Sequence, residues 1–144
     1  MEKAGQIVKN GFVEVDEYCR AGAPGVYAVG DVTGRAMLAH VAYRQAAAAV
    51  NHILGKKDAV DYGAVPSVIY TQPEVAWAGM SEREAAEGGY EYAVKKASVN
   101  MSGRHVAEHG ITSGVCKLLV DKRKGTLIGG GLMGAYASEI VYAL

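Results

Sequence analysis

The stretch Pro24–His40, PGVYAVGDVTGRAMLAH, decides the fold of the first part of the chain. Its centre is a run of apolar residues, Val26–Val29, that ends on Gly30 and Asp31. A short loop follows, and then Leu38, Val41, Ala42, Ala46, Ala49 and Ile53 recur at steps of three and four. That period is the mark of a helix with one buried face. The spacing predicts a strand over 26–30 and a helix over 36–54, closed by Gly55. The alanines Ala46–Ala49 let such a helix approach a sheet closely.

Strand, turn and helix in that order form the repeating unit of an open α/β sheet, in which ligands lie outside the carboxyl ends of the strands. Gly30 there lets the backbone come near a ligand, and Asp31 offers two acceptor oxygens to hydroxyl groups. The N–H groups of Met37, Leu38, Ala39 and His40 would stand at the positive end of the helix, where an electron-rich ring edge is stabilised. The same residues also fit a plainer reading, in which Asp31 caps the helix that begins near Ala36.

Upstream, FVEV at 12–15 reads as a second strand, with the turn-rich RAGAPG at Arg20–Gly25 between the two. Downstream, KKDAVDYG at 56–63 is polar and reads as a linker. The pattern then changes. Ser67–Tyr70 and Val75–Gly79 are strand-like around Gln72-Pro73, and Ser81 with Glu84 forms the S-x-x-E of a capping box. Gly88 and Gly89 end that helix, and Tyr90–Val94 alternates as a strand. Val115–Val120 and Thr126–Met133 are apolar runs joined by DKRKG, the pattern of an antiparallel hairpin with a charged loop, and Ala137–Leu144 reads as a final helix. The chain is thus α/β followed by α+β with a mostly antiparallel sheet.

Lysine plus arginine (15) equals aspartate plus glutamate (15), so no net field draws the chain to nucleic acid or to an anionic membrane. Lys122-Arg123-Lys124 reads as a solvated hairpin loop, and the scattered tyrosines make no stacking platform. The polar start, Met1–Asn10, has no leader character. His40, Arg44, Gln45, Asn51 and His52 make the segment 37–54 too polar to span a bilayer. Cys19 and Cys116 share no metal or redox spacing and read as two unconnected thiols in a reducing, cytoplasmic setting. Trp77 reads as a core or interface anchor.

The longer strings carry a family resemblance. P-x-x-Y-A-x-G-D-x-x-x-x-x-M-L-A-H, Pro24–His40, resembles the second FAD-binding motif of the FAD-dependent pyridine nucleotide-disulfide oxidoreductases, and M-L-A-H points within them to dihydrolipoyl dehydrogenases. Pro66–Ala85, PSVIYTQPEVAWAGMSEREA, is similar to the opening of that family's dimerisation domain. Ser113–Asp121 and Leu127–Ile140 are similar to the strands and helix that follow it. The resemblance runs collinearly along the chain. Mercuric and glutathione-type reductases share much of it.

The resemblance implies the tail end of an FAD-binding, Rossmann-like domain over 1–60. It implies a dimerisation domain over 61–144 that stops before the family's catalytic H-P-x-x-x-E. Gly30 and Asp31 would then meet the ribityl chain of FAD. Met37, Leu38, Ala39 and His40 would lie at the flavin edge, with His40 a packing residue rather than a catalytic base. Thr71, Pro73 and Glu74 would shape the start of the second domain. The parent reaction implied is NAD-dependent oxidation of dihydrolipoamide through an enzyme disulfide and FAD. The implied partners are a second copy, as a homodimer, and dihydrolipoyl groups of 2-oxo acid dehydrogenase or glycine cleavage complexes.

The sequence contains no C-x-x-x-x-C. Gly129-Gly130-Gly131 sits in a strand-like run and is not the G-x-G-x-x-G turn of a nucleotide site. His105 and His109 are followed by Val106 and Gly110, not proline, and read as surface or loop residues. No catalytic or metal-binding residue is therefore expected. A non-enzymatic dimerisation module descended from the same family is the competing reading.

Overall fold

A computed structural model describes residues 8–144; residues 1–7 of the polar start lie outside the described residues. The chain divides into two compact units, one ending at Tyr62 and one running from Gly63 to Leu144.

The first unit opens with a hairpin of β1 (Val8–Lys9) and β2 (Phe12–Val13). Its turn is Asn10-Gly11, both at positive φ, the pair that favours a tight two-residue hairpin. The strand expected over 12–15 is therefore shorter, ending at Val13. Asp16 then gathers the chain: Oδ1 accepts from the N–H groups of Tyr18 and Arg20, both at 2.9 Å, and Oδ2 accepts from Arg20 Nε at 2.5 Å. Burial opposes ionisation of Asp16, but these bonds outweigh it and hold the carboxyl below its ordinary pKa.

Residues 26–28 of the expected strand pack on two clusters. Val26 and Ala28 pack on a cluster of Val13, Val15 and Ala21, while Tyr27 packs on Cys19, Ala48, Ala49 and Val60. The expected strand is nevertheless an extended segment and not a ladder strand. Among the described residues its pairing is an isolated bridge between Arg20 and Tyr27. An apolar alternation buries two faces, but a ladder also needs neighbouring strands at both edges.

The helix expected over 36–54 is α1 (Ala39–Ile53). Gly34 at φ 64 closes a 3-10 turn over Asp31–Thr33, and Leu38 is extended, so helical geometry begins only at Ala39. At the other end Gly55 N–H donates to His52 O at 2.9 Å and Lys56 N–H to Asn51 O at 2.8 Å, the two bonds of a Schellman motif. The polar segment after it is no free linker. Arg44 donates to both oxygens of Asp58 at 3.1 and 2.5 Å and to Ala59 O at 2.8 Å. Asn51 Nδ2 donates to Asp58 at 2.6 Å, and Val60 N–H to Glu17 O at 2.8 Å. The bonds from Asn51 and then Arg44 hold Asp58 below its ordinary pKa.

The second unit is a five-stranded antiparallel sheet in the order β3 (Ser67–Ile69), β4 (Glu74–Gly79), β7 (Leu127–Gly134), β6 (Val115–Asp121), β5 (Tyr92–Ser98). The β5 strand starts two residues later than expected and runs on to Ser98. Helix α2 (Glu82–Glu87) has the expected capping box: Ser81 Oγ accepts from Glu84 N–H at 3.2 Å, and Glu84 Oε2 accepts from Ser81 N–H at 2.8 Å. The β6–β7 hairpin is built on buried Asp121, whose Oδ1 accepts from the N–H groups of Arg123 (2.8 Å) and Lys124 (3.2 Å). At the sheet centre Gly131 faces Trp77 in register, and a Cβ there would collide with the Ala76 carbonyl and the Trp77 ring. That close approach requires glycine.

A helix not foreseen, α3 (Gly103–His109), carries both histidines expected on the surface or in loops. Ser102 Oγ accepts from His105 N–H at 3.3 Å and Gly110 ends it. His105 Nε2 pairs with Thr112 Oγ1 at 2.8 Å, and the His109 ring lies 5.3 Å from that of Tyr136. Chain end 137–144 is α4 (Ala137–Ile140) followed by a 3-10 turn, not one helix. Ala137 and Val141 join Ala76 and Leu132 in the core. Both cysteines are free. No helix among the described residues is long and apolar enough to cross a membrane.

Glu74 Oε2, at the start of β4, accepts from Ser138 N–H in α4 at 2.9 Å. That backbone bond, then the Ser138 hydroxyl, lowers the Glu74 pKa against a smaller opposing effect of burial. A lowered folded value contributes stability that is complete above the unfolded value, ~4.3, and is lost as pH falls through the folded one. Acid titration of the chain, followed by circular dichroism, should show Glu74→Gln losing less stability than the wild type below pH ~4.3. Equal acid slopes would show that the carboxylate does not hold α4.

Candidate functional site

The residues singled out from the sequence meet at one turn. Gly30 is buried, with φ 81 and ψ −157, a region that only glycine enters without strain. A Cβ there would stand 3.6 Å from Ala42 Cβ, an ordinary contact, so it is the backbone conformation and not space that reserves the position.

Both polar groups of Gly30 are held. Its N–H donates to Gln45 Oε1 at 2.6 Å. Its carbonyl accepts from Thr33 N–H at 3.0 Å and Thr33 Oγ1 at 2.8 Å. Asp31 follows directly and is exposed, and its own carbonyl accepts from Gly34 N–H at 3.0 Å. The capping reading of Asp31 fails: α1 starts eight residues later, its N-cap is Leu38, and no side chain caps it.

Gly30 and the first turns of α1 are brought together by Gln45 and Ala42. Leu38 O accepts from Val41 N–H (3.0 Å) and Ala42 N–H (3.1 Å). Ala39 and His40 are exposed at the start of the helix. Met37 is 59% exposed and lies outside the helix, so it enters the site as apolar surface rather than as a helical N–H. The turn therefore combines an exposed carboxylate at Asp31 with the positive end of a 15-residue helix. It suits a ligand with hydroxyl groups next to an electron-rich ring. Among the described residues no three histidine, cysteine, aspartate or glutamate side chains are grouped to hold a metal.

Gln45 is the residue of this turn that periodicity hid. It stands on the apolar face of α1 with no exposed surface, beside Val41, Ala48 and Ala49. Its Nε2 donates to Thr33 Oγ1 at 3.3 Å and to Tyr62 Oη at 2.9 Å. A polar residue at the centre of an apolar stripe was the available signal.

A wider hollow of about 940 Å³ in the same unit is lined by Phe12, Val15, Arg20 and Arg35 among others, and touches none of Gly30, Asp31 or 37–40. Volume alone would favour it. Its charged groups are already committed, Arg20 to Asp16 and Arg35 Nη2 to Val15 O at 3.3 Å, so the chemistry favours the Gly30–Asp31 turn.

Comparison with known proteins identifies the family. Residues 65–144 match the family model described as pyridine nucleotide-disulphide oxidoreductase, dimerisation domain. Residues 1–46 match the model described as pyridine nucleotide-disulphide oxidoreductase. A dihydrolipoyl dehydrogenase of Buchnera aphidicola subsp. Schizaphis graminum is 40% identical over 98% of this chain and 30% of its own length. That of Vibrio parahaemolyticus is 39% identical over 97% and 30%. The chain thus spans about a third or less of the curated relatives it matches. Among solved structures, LpdA from Mycobacterium tuberculosis superposes with a TM-score of 0.86 at 28% identity, over 99% of this chain and 31% of that one. The HOCl-induced flavoprotein disulfide reductase RclA from Escherichia coli does so with 0.83 at 27% identity, over 99% and 33%. With a family model matching more than half its length, the chain belongs to the pyridine nucleotide-disulphide oxidoreductase family and carries that family's dimerisation domain.

Proposed function

We propose that this chain is the flavin-edge and subunit-pairing portion of a dihydrolipoyl dehydrogenase. The observation that carries the reading is the Gly30–Asp31 turn fixed against the start of α1, in a chain 40% identical to such an enzyme from end to end. The division at 1–60 and 61–144 goes with this reading, the first part serving FAD and the second the dimer.

The residues fit FAD. An outward Asp31 carboxylate suits a ribityl hydroxyl, and the Gly30 backbone permits close approach. Ala39 and His40 stand at the positive end of α1, Leu38 precedes them as N-cap, and Met37 offers apolar surface to a ring. FAD, when bound, relays an electron pair from a dithiol, through an enzyme disulfide, to NAD. Within that scheme this chain orients the flavin and stabilises negative charge at its edge through the helix end. The enzyme would be a homodimer in the cytoplasm, acting on dihydrolipoyl groups of 2-oxo acid dehydrogenase or glycine cleavage complexes.

The isolated chain should not retain flavin: after incubation with FAD and dialysis it should be colourless, and a stoichiometric yellow protein would contradict the division of labour proposed. When the chain is fused behind the matched N-terminal portion of a dihydrolipoyl dehydrogenase, Asp31→Ala should weaken FAD binding by roughly tenfold to a hundredfold. A charge-assisted hydrogen bond contributes ~1.5–3 kcal/mol, and Asn at this position should lose less. Unchanged affinity would remove Asp31 from the site. The chain alone should also form dimers, twice its 15.1 kDa, because unit 63–144 exposes Ile69, Tyr70, Ile111 and Tyr142. Light scattering that finds only monomer at high concentration would count against pairing.

A further inference from the structure

We infer that Gln45 is the positioning residue of the cofactor turn: its buried amide selects the Gly30 conformation from which Asp31 faces outward. This rests on the flavin reading above and deepens it. Asp31 is exposed and owes its direction to the residue before it. That residue adopts φ 81 and ψ −157, a conformation a glycine leaves readily unless its surroundings over-determine it. The Gly30 carbonyl is fixed by Thr33 from within the turn itself. Among the described residues the N–H has only Gln45, reached from the adjoining helix at 2.6 Å. Gln45 in turn cannot rotate away, because its Nε2 is tied to Thr33 Oγ1 and to Tyr62 Oη.

An apolar residue would suit this helix face better by transfer free energy, since a buried amide costs unless every group is bonded. Here each group is bonded, and each bond bears on the turn. With the amide removed, the Gly30 N–H is left buried without an acceptor, and the turn escapes to conformations that turn Asp31 elsewhere. Apparent affinity falls by the fraction of time the competent turn is populated.

The test uses the chain itself, labelled with nitrogen-15, titrated with FAD to millimolar concentration and followed at backbone amides. Wild type should respond at Gly30, Asp31, Ala39 and His40. Gln45→Leu should need at least about tenfold more FAD for the same response, while amides late in α1, such as Val50, keep their native positions. Tyr62→Phe, which removes one of the ties on Gln45, should show a shift of a few-fold. A folded Gln45→Leu that responds like wild type overturns the inference and leaves the flavin reading standing. A wild type silent at those four amides overturns the flavin reading and the inference with it. Should Gln45→Leu fail to fold, Tyr62→Phe decides: an unchanged FAD response overturns the inference.

Discussion

The geometry of the first unit hangs on one buried amide. Gln45 lies on a helix face otherwise made of valine and alanine, and it bonds to Gly30, Thr33 and Tyr62. Two stretches outside the helix, the turn at 30–33 and Tyr62, therefore meet at a single side chain. The energetics of such a centre are asymmetric. Each bond made in place of water contributes only ~0.5–1.5 kcal/mol net, whereas a buried donor left without a partner costs ~1–3 kcal/mol. The amide thus stabilises little by being present and much by not being absent, and that difference gives the Gly30 turn its single conformation.

The second unit solves a different problem with the opposite means. Its central strand β7 carries Gly129-Gly130-Gly131 where a sheet usually carries branched side chains. The packing opposite explains it. Trp77 on β4 lies in register with Gly131, half-buried, with its Nε1 donating to Gly79 O at 3.1 Å and Lys117 5.8 Å from the ring. A large ring on one strand and bare backbone on the next fill the same volume that two medium side chains would. Glu74, at the start of the same β4, reaches Ser138 and fixes where the last helix begins, so the strand that sets the sheet also sets its lid.

Much of this was legible in the sequence because it is local. The Ser81–Glu84 box, the Gly55 stop and the charged β6–β7 hairpin are each decided by residues within a few positions of one another, and the structure has them where the sequence puts them. The apolar run at 26–30 reads as a strand and packs on two clusters, but an apolar run reports burial and not pairing partners, so the ladder did not follow. Gln45 and Asp58 escaped for a related reason. Both read as polar interruptions until the partners, 15 and 14 positions away, are in view. The Asn10-Gly11 turn and the Ser102–Gly110 boundaries of α3 were readable and were passed over, because neither borders a long apolar run.

Asp58 changes how the chain can be taken apart. Composition marks 56–63 as the place to cut, since polar, charged residues next to a glycine look like a hinge. Arg44, Asn51 and the Val60–Glu17 bond instead lay this segment along α1 as a strut, with Val60 in the core. A protease, or an engineer choosing ends for the two halves, would do damage there: removing 57–60 strips α1 of a brace and opens the pocket of Cys19 and Ala48 to water. The two compact units divide a few residues on, between Tyr62, which still bonds to Gln45, and Gly63.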